Sequence, residues 1–356
     1  MIKKIFRYLV YFIVLLAVLA VGAFFYLKTP DSDPETVRAK YTNQLSKFAD
    51  NGKGMKVHYR DEGNKDGMPL VLIHGSSASL HTFEPMAKYL TDKYRVISLT
   101  LPGHGLTGPH PQDNYSFEGY AEAVDLVSNE LKLEKFALAG NSLGGWITWR
   151  YALKNKDKVN ALILLDAGGM PLRKGEIRPP QNLAFRLARH SFGRFLIANI
   201  TPRSLVKKSL LQTVSVKESV TEDIVDRYYD LVRLPGNRRA GSLRRQTFYE
   251  KGALAKAKKI AERAKEIKAP TLIIWGKEDQ LVYASAAQSF KERITQAEVI
   301  IYDGVGHLPM EEAPERTAKD IDAFLSKSLK KEEPEQKPEE TGQAGEGNTA
   351  EGKVGE

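Results

Sequence analysis

At 356 residues the chain is long enough for one large α/β domain carrying an insertion, or for two domains, and its 42% hydrophobic content can build a sizeable core. It has no cysteine, which excludes disulfides, cysteine nucleophiles and thiolate metal sites. Lys and Arg outnumber Asp and Glu by 53 to 44, a formal charge of +9 whose location along the chain matters more than its size. No internal repeat is visible.

The first element is apolar throughout. After Lys3, Lys4 and Arg7, the residues Tyr8 to Leu27 form a run of 20 without a charge. About 20 apolar residues cross a hydrocarbon core as a helix. Tyr8, Tyr11 and Tyr26 sit near its ends, where interfacial aromatics belong. A cleaved signal peptide is the rival reading, but its apolar region runs only about 7–15 residues before a small-residue cleavage site. The run here is longer and Ala20 and Gly22 fit such a site poorly, so an uncleaved signal-anchor is preferred. Basic residues precede the span, while Asp31, Asp33 and Glu35 follow it. That asymmetry keeps the N-terminus cytoplasmic and sends the bulk of the chain to the far side, periplasmic or extracytoplasmic in a bacterium.

A polar stalk with some helical character follows, and then the pattern alternates. Apolar strands are expected at LVLIH (70–74), RVISLTL (95–101), KFALAGNS (135–142), VNALILLDAGG (159–169), TLIIWG (271–276) and EVIIYDG (298–304). VHYRDEG (57–63) fits an antiparallel edge strand. Helical patterns lie between, at FEPMAKYLTD, YAEAVDLVSNELKL and roughly 143–154. Continuous apolar strands alternating with helices predict a mostly parallel sheet covered by helices on both faces.

The alternation stops between Met170 and about Lys251, where only helical patterns occur; this is read as a helical cap inserted into the α/β core. Residues 171–250 hold 16 Lys and Arg against 7 Asp and Glu, an excess of nine that equals that of the whole chain. Two readings of that excess carry equal weight: a basic surface drawn to anionic headgroups, or an ordinary solvated helical face. Nucleic acid is not expected as a partner, because no recognition motif accompanies the charge. From residue 331 the chain lacks aromatics and nearly all branched apolar residues, which predicts a disordered tail. The division is then anchor 1–29, stalk 30–54, core 55–169, cap or lid 170–251, core 252–330 and tail 331–356.

Chemistry concentrates where strands end. AGNSLGGW (139–146) places Ser142 between glycines at a strand-to-helix junction. Gly140 and Gly144 suit a turn that crowds the backbone, and Gly-x-Ser-x-Gly in that setting is a nucleophile elbow. Ligands of open parallel sheets bind at the carboxyl ends of the strands. Those ends supply Ser142, then Asp279 in WGKEDQLV, then His307 in DGVGHLPMEEAPE. The order Ser, Asp, His is the one that accompanies the elbow.

These segments carry a resemblance. HGSSAS (74–79), LPGHGLT (101–107), GNSLGG (140–145), WGKEDQLV (275–282) and GHLPMEEAPE (306–315) resemble the α/β-hydrolase superfamily over about residues 55–330, most closely its membrane-anchored lipase and esterase members of the monoacylglycerol lipase type. The resemblance implies Ser142 as nucleophile, His307 as base and Asp279 as the acid orienting it. It also implies an oxyanion hole from the backbone N–H of Leu143 and of a residue just after His74-Gly75, either Ser76 or Ser77, with Ser76 preferred. Asp166 also ends a strand and is the rival acid; Glu278 should point away if Asp279 points in. His74 and His104 sit in motifs used structurally, while His58, His81, His110 and His190 have no constellation around them. Trp146 and Trp149 read as packing. No metal site and no cofactor are expected, since no carboxylates pair with the histidines at ligand spacing.

A serine at the elbow separates the chain from relatives of this fold that place aspartate there, and implies ester cleavage through an acyl-enzyme. The substrate expected is a small-molecule or lipid ester such as a monoacylglycerol. A carbon–carbon bond hydrolase is the runner-up, though HGSSAS departs from the Gly-Pro-Gly-like loop of those members; a haloperoxidase-like activity is a third. A catalytically idle binding or scaffold protein on the same fold is the reading from another class.

Overall fold

A computed structural model describes residues 2–171, 187, 190–249 and 252–330. The expected tail (331–356) and the first part of the expected cap (172–186) lie outside the described residues.

Eight strands form one sheet: β1 (Ser46–Asp50), β2 (Lys56–Gly63), β3 (Pro69–Ile73), β4 (Arg95–Leu99), β5 (Phe136–Asn141), β6 (Val159–Leu165), β7 (Thr271–Gly276) and β8 (Glu298–Tyr302). Their spatial order is β1-β2-β4-β3-β5-β6-β7-β8. The pairings β1/β2 and β2/β4 are antiparallel and the remaining five are parallel. This is an α/β-hydrolase fold.

The central strands read as unbroken apolar runs because both faces are covered. Val71 and Ile73 point into one hydrophobic layer, Leu70 and Leu72 into the other. β5, β6 and β7 repeat the division. The first layer is closed by α4 (Phe117–Glu130), α5 (Leu143–Lys154) and α11 (Ser285–Arg293), through Tyr120, Val124, Ile147, Trp149 and Phe290. The second is closed by the short α3 (Glu84–Ala87) and the long α12 (Pro314–Lys330), through Met86, Ile321 and Leu325. Burying an aliphatic or aromatic side chain of this size contributes about 1.5–3 kcal/mol, so each layer outweighs any single polar contact in the molecule.

Two local expectations need correction. β2 is not the edge of the sheet; β1 is, and it lies inside the stretch 30–54 expected to be stalk. Only Ala49 of SKFAD is buried, so the strand leaves almost no apolar period to read. It is held by pairing with β2 and by Phe48, whose ring stacks on His58 with centroids 4.9 Å apart. The helix expected at FEPMAKYLTD shrinks to one turn, α3. Its continuation is tightened by three-residue bonds, Tyr89 N–H to Met86 O and Leu90 N–H to Ala87 O.

Among the described residues, the region expected to be cap holds α6 (Ser191–Asn199), α7 (Arg203–Thr213), α8 (Glu222–Val232) and α9 (Asn237–Tyr249) between β6 and β7. α10 (Ala253–Glu262) leads back to β7. At the other end, α1 (Ile2–Leu27) is long and apolar enough to cross a membrane, and none of it is buried. Between α1 and β1 the chain forms α2 (Pro34–Tyr41), capped by Asp33, which accepts from Thr36 N–H at 3.0 Å.

Candidate active site

β5 delivers Ser142 and α5 begins immediately after it. The serine sits at φ 53°, ψ −111°, a strained setting for a residue with a side chain. The bend is held by its own backbone: Ser142 N–H donates to Leu165 O (3.1 Å), and Ser142 O accepts from Trp146 N–H (3.0 Å) and Gly168 N–H (2.8 Å). Two glycines make the bend possible through close approach. A Cβ on Gly140 would meet Thr148 Oγ1 and the Gly144 backbone, and one on Gly144 would meet Ile73 O and His74 O. The Leu143 amide is the first of α5, where a helix leaves its N–H groups without intrahelical acceptors and aimed at any negative charge. The other two oxyanion candidates, Ser76 and Ser77, are exposed on the loop after β3, and Ser77 has φ 65°.

β7 and β8 bring the other two groups. His307 and Asp279 are almost fully buried, at 3% and 2% exposure, and His307 Nδ1 lies 2.7 Å from Asp279 Oδ2. With Nδ1–H donated to the carboxylate, Nε2 carries the lone pair. Asp279 Oδ1 is occupied by the N–H groups of Leu281 (2.7 Å) and Val282 (3.0 Å), which fixes the plane of the carboxylate. Ser142 and His307 are tied through the serine's chain neighbour: Asn141 Nδ2 donates to His307 O at 3.0 Å and to Leu165 O at 3.2 Å. Ser142, Asp279 and His307 therefore gather at one edge of the sheet.

Asp166, the rival acid, is fully buried beside them at the end of β6, with φ 45°. Its Oδ1 accepts from Gly276 N–H at 2.9 Å. Burial, and then the Asp279 charge, push its carboxyl well above the usual range, and it is Asp279 that faces the histidine. Asp166, Asp279 and His307 each offer a ligand atom within 4.8 Å of the others, a spacing a cation could use. His307 Nδ1 is already engaged by Asp279 at 2.7 Å.

Glu312 is a residue that motif reasoning missed. Its Oε2 accepts from Gly306 N–H (2.9 Å), Ser215 N–H (2.7 Å) and Val216 N–H (3.0 Å), and its Oε1 from Leu308 N–H (3.0 Å). One carboxylate thus grips both neighbours of His307 and the backbone after α7. The paired acids of PMEEAPE were visible in sequence, but nothing in their spacing indicated four backbone partners. Glu311, next to it, is buried and accepts from Thr82 Oγ1 and from Tyr228 OH (3.0 Å), linking the loop after β3 to α8.

The motif histidines are scaffold. His74 Nδ1 pairs with Gly75 O (2.7 Å), leaving Nε2 to accept from Leu101 N–H (2.9 Å). His104 Nδ1 pairs with Pro102 O (3.0 Å), and Nε2 accepts from Arg244 Nη1 of α9 (2.7 Å). Burial keeps both rings neutral, with His74 pushed down to about 3. His81, without a role in sequence, reaches Tyr41 O of α2 at 2.8 Å and Ser79 Oγ at 2.9 Å. Trp149 is buried in the core; its indole N–H donates to Gly168 O at 3.2 Å.

A family model described as alpha/beta hydrolase fold matches residues 68–314. The chain belongs to the α/β-hydrolase family. Among its α/β-hydrolase relatives, Lipase 1 of Psychrobacter immobilis is 30% identical over 288 residues, covering 77% of this chain and 81% of the lipase. Monoacylglycerol lipase ABHD6 of Bos taurus is 28% identical over 260 residues, covering 72% and 75%. A crystal structure of a membrane phospholipase A matches with a TM-score of 0.64 at 26% identity, covering 91% of this chain and 99% of that one. As an α/β hydrolase the chain is lipase- and esterase-like in sequence.

Proposed function

We propose that the protein is a membrane-anchored serine hydrolase that cleaves carboxylic esters of lipid character, such as monoacylglycerols, through an acyl-enzyme. The observation that carries the reading is the His307–Asp279 pair at 2.7 Å, buried at the sheet edge where the strained Ser142 ends β5. Serine is a weak nucleophile alone and needs a neighbouring base. In the proposed reaction His307 Nε2 takes the Ser142 Oγ proton as Oγ bonds to the ester carbonyl carbon. The oxyanion is met by the N–H of Leu143 and of Ser76. The tetrahedral adduct collapses with cleavage of the acyl C–O bond, and the alcohol leaves with the proton held by His307. Water then repeats the sequence on the acyl-enzyme and releases the acid. Asp279 keeps the imidazole in the required tautomer and offsets its charge when it is protonated. One oxyanion donor contributes about 2.7–4 kcal/mol to such a transition state.

Lipid character is supported by α1, by the helices above the sheet edge and by the lipase relatives. Lys3, Lys4 and Arg7 before α1, against Asp31, Asp33 and Glu35 after it, support a cytoplasmic N-terminus with the hydrolase across the membrane. The test is labelling of the full chain with a fluorophosphonate, alongside a panel of monoacylglycerols, triacylglycerols and short esters. Modification at Ser142 and loss of all hydrolysis in Ser142→Ala are expected. Absence of labelling with a folded chain would return the idle scaffold to first place.

A further inference from the structure

The end of α1 is fastened to the cap helices instead of running into a loose tether. Two residues beyond the helix, Thr29 N–H donates to Asn199 O at 2.8 Å, and Thr29 Oγ1 accepts from Thr201 N–H at 3.0 Å. Arg238 of α9 donates to Thr29 O (2.8 Å) and to Asp31 (2.6 Å). Arg233 donates to Pro30 O (3.1 Å), and Ser32 N–H returns to Arg233 O (2.9 Å). Thr29 and Ser32 are buried by these contacts.

So short a connection sets a depth. Phe24 lies three residues before the end of α1, which at 1.5 Å per residue places it about 5 Å inside the apolar run. Its ring stacks on Phe195 of α6, with centroids 5.3 Å apart and planes 20° from parallel. Phe195 in turn lies alongside Phe192, at 6.4 Å and 23°. Phe195 therefore stands at the level of a residue in the span itself. Both rings of α6 are open, Phe192 at 68% and Phe195 at 49% exposure. In water they would be an unpaired apolar patch. Beside a span they have the form of an interfacial helix, whose aromatic face enters the boundary between headgroups and acyl chains.

We propose that α6 is a second membrane contact: Phe192 and Phe195 enter the bilayer that α1 crosses, about 5–10 Å deep, and hold the helices above the active site against the lipid surface. The partner is the lipid interface. The inference rests on reading α1 as a membrane span, and the experiment separates the two. Because the chain has no cysteine, single labelling sites need no background removal. Phe192→Cys, Phe195→Cys, Leu15→Cys in mid-span and Ile301→Cys on β8 are labelled with an environment-sensitive fluorophore in the full chain. Each is reconstituted in phosphatidylcholine–phosphatidylglycerol vesicles that carry lipid nitroxides near the headgroup or near the chain end. The expected result is loss of fluorescence at 192 and 195 mainly with the shallow nitroxide, at 15 mainly with the deep one, and at 301 with neither. Quenching at 15 alone, with 192 and 195 behaving like 301, overturns the interfacial helix and leaves the anchor standing. Labels at 192 and 195 shielded from both lipid nitroxide and aqueous iodide would mean a second copy covers the patch, which also overturns it. No quenching at 15 removes the span and the inference together. Phe192 is largely exposed, so its replacement leaves folding intact, and hydrolysis of a soluble short ester checks this for each variant.

Discussion

The sheet core and the helices of the cap region are held in different ways. In the core, alternate residues of β3, β5, β6 and β7 fill two apolar layers. The cap helices meet the rest of the molecule through small apolar clusters, Val225 and Tyr228 with Ala78, and Leu231 and Leu234 with Val37, and through a set of ion pairs. Arg227 of α8 reaches Glu84 and Glu311, Arg238 of α9 reaches Asp31, Arg239 reaches Asp113, and the buried Arg244 donates to the neutral His104. Arg203 and Lys207 pair within the helices, with Asp226 and Glu222. Among the described residues, Arg227, Arg238 and Arg239 of this basic stretch are engaged in fastening it to the rest of the molecule. Apolar layers make the core rigid enough to hold a strained serine. The exposed ion pairs of the cap region, such as Arg239–Asp113, contribute little singly, whereas the partly buried Arg227–Glu311 contact costs more to break.

The sharpest way to break the comparison is at the rigid edge. Ser142→Ala should reduce ester hydrolysis by a factor on the order of 10^6 without changing the melting temperature much. Asp279→Asn should follow, at about 10^4 in kcat, because the amide favours the wrong imidazole tautomer. Its neighbour makes the contrast: Asp166→Asn should keep most activity, since its bonded oxygen meets Gly276 N–H and not the histidine. Third comes Glu312→Ala, which frees both neighbours of His307; displacing a catalytic group by about 1 Å can cost 10^2-fold, so kcat should fall by that order with KM changed less.

Asp166 also gives a pH test. Its folded carboxyl titrates well above the ordinary aspartate value of 3.8, so between that value and the raised one the folded state holds a proton that the unfolded state has released. Stability from this group is full below about pH 3.8 and is lost as pH rises toward the folded value. Asp166→Asn should therefore raise the melting temperature near neutrality and lose that advantage at acid pH. Its φ of 45° favours the change, because Asn tolerates this backbone region. A melting-temperature series across pH would decide it. The smallest effect belongs to the ionic contact: Arg239→Ala, breaking a surface pair with Asp113, should change stability by less than about 0.5 kcal/mol.

Most of the sheet was legible in the chain. The apolar runs of β3 to β7 were readable within a few residues, because strands covered on both faces must be apolar at every position; β8, an edge strand with only Tyr302 buried, was readable because its run stays apolar even where it is exposed. β1 was not, since an edge strand with one buried side chain has no period. Gly140, Ser142 and Gly144 were legible because a tight bend allows few residue types. Glu312 and Asn141 were not, because acceptors and donors for distant backbone leave no spacing rule.

The sequence by itself determined the α/β class, the apolar N-terminal helix, the elbow and the candidate residues Ser142, Asp279 and His307, since each follows from a local pattern of burial, charge or backbone crowding. Only the tertiary structure decided that Asp279 and not Asp166 faces the histidine, that Glu312 holds the His307 loop, and that α1 ends against α6. Those depend on which groups, far apart along the chain, share one buried space, where desolvation decides which carboxyl keeps its proton.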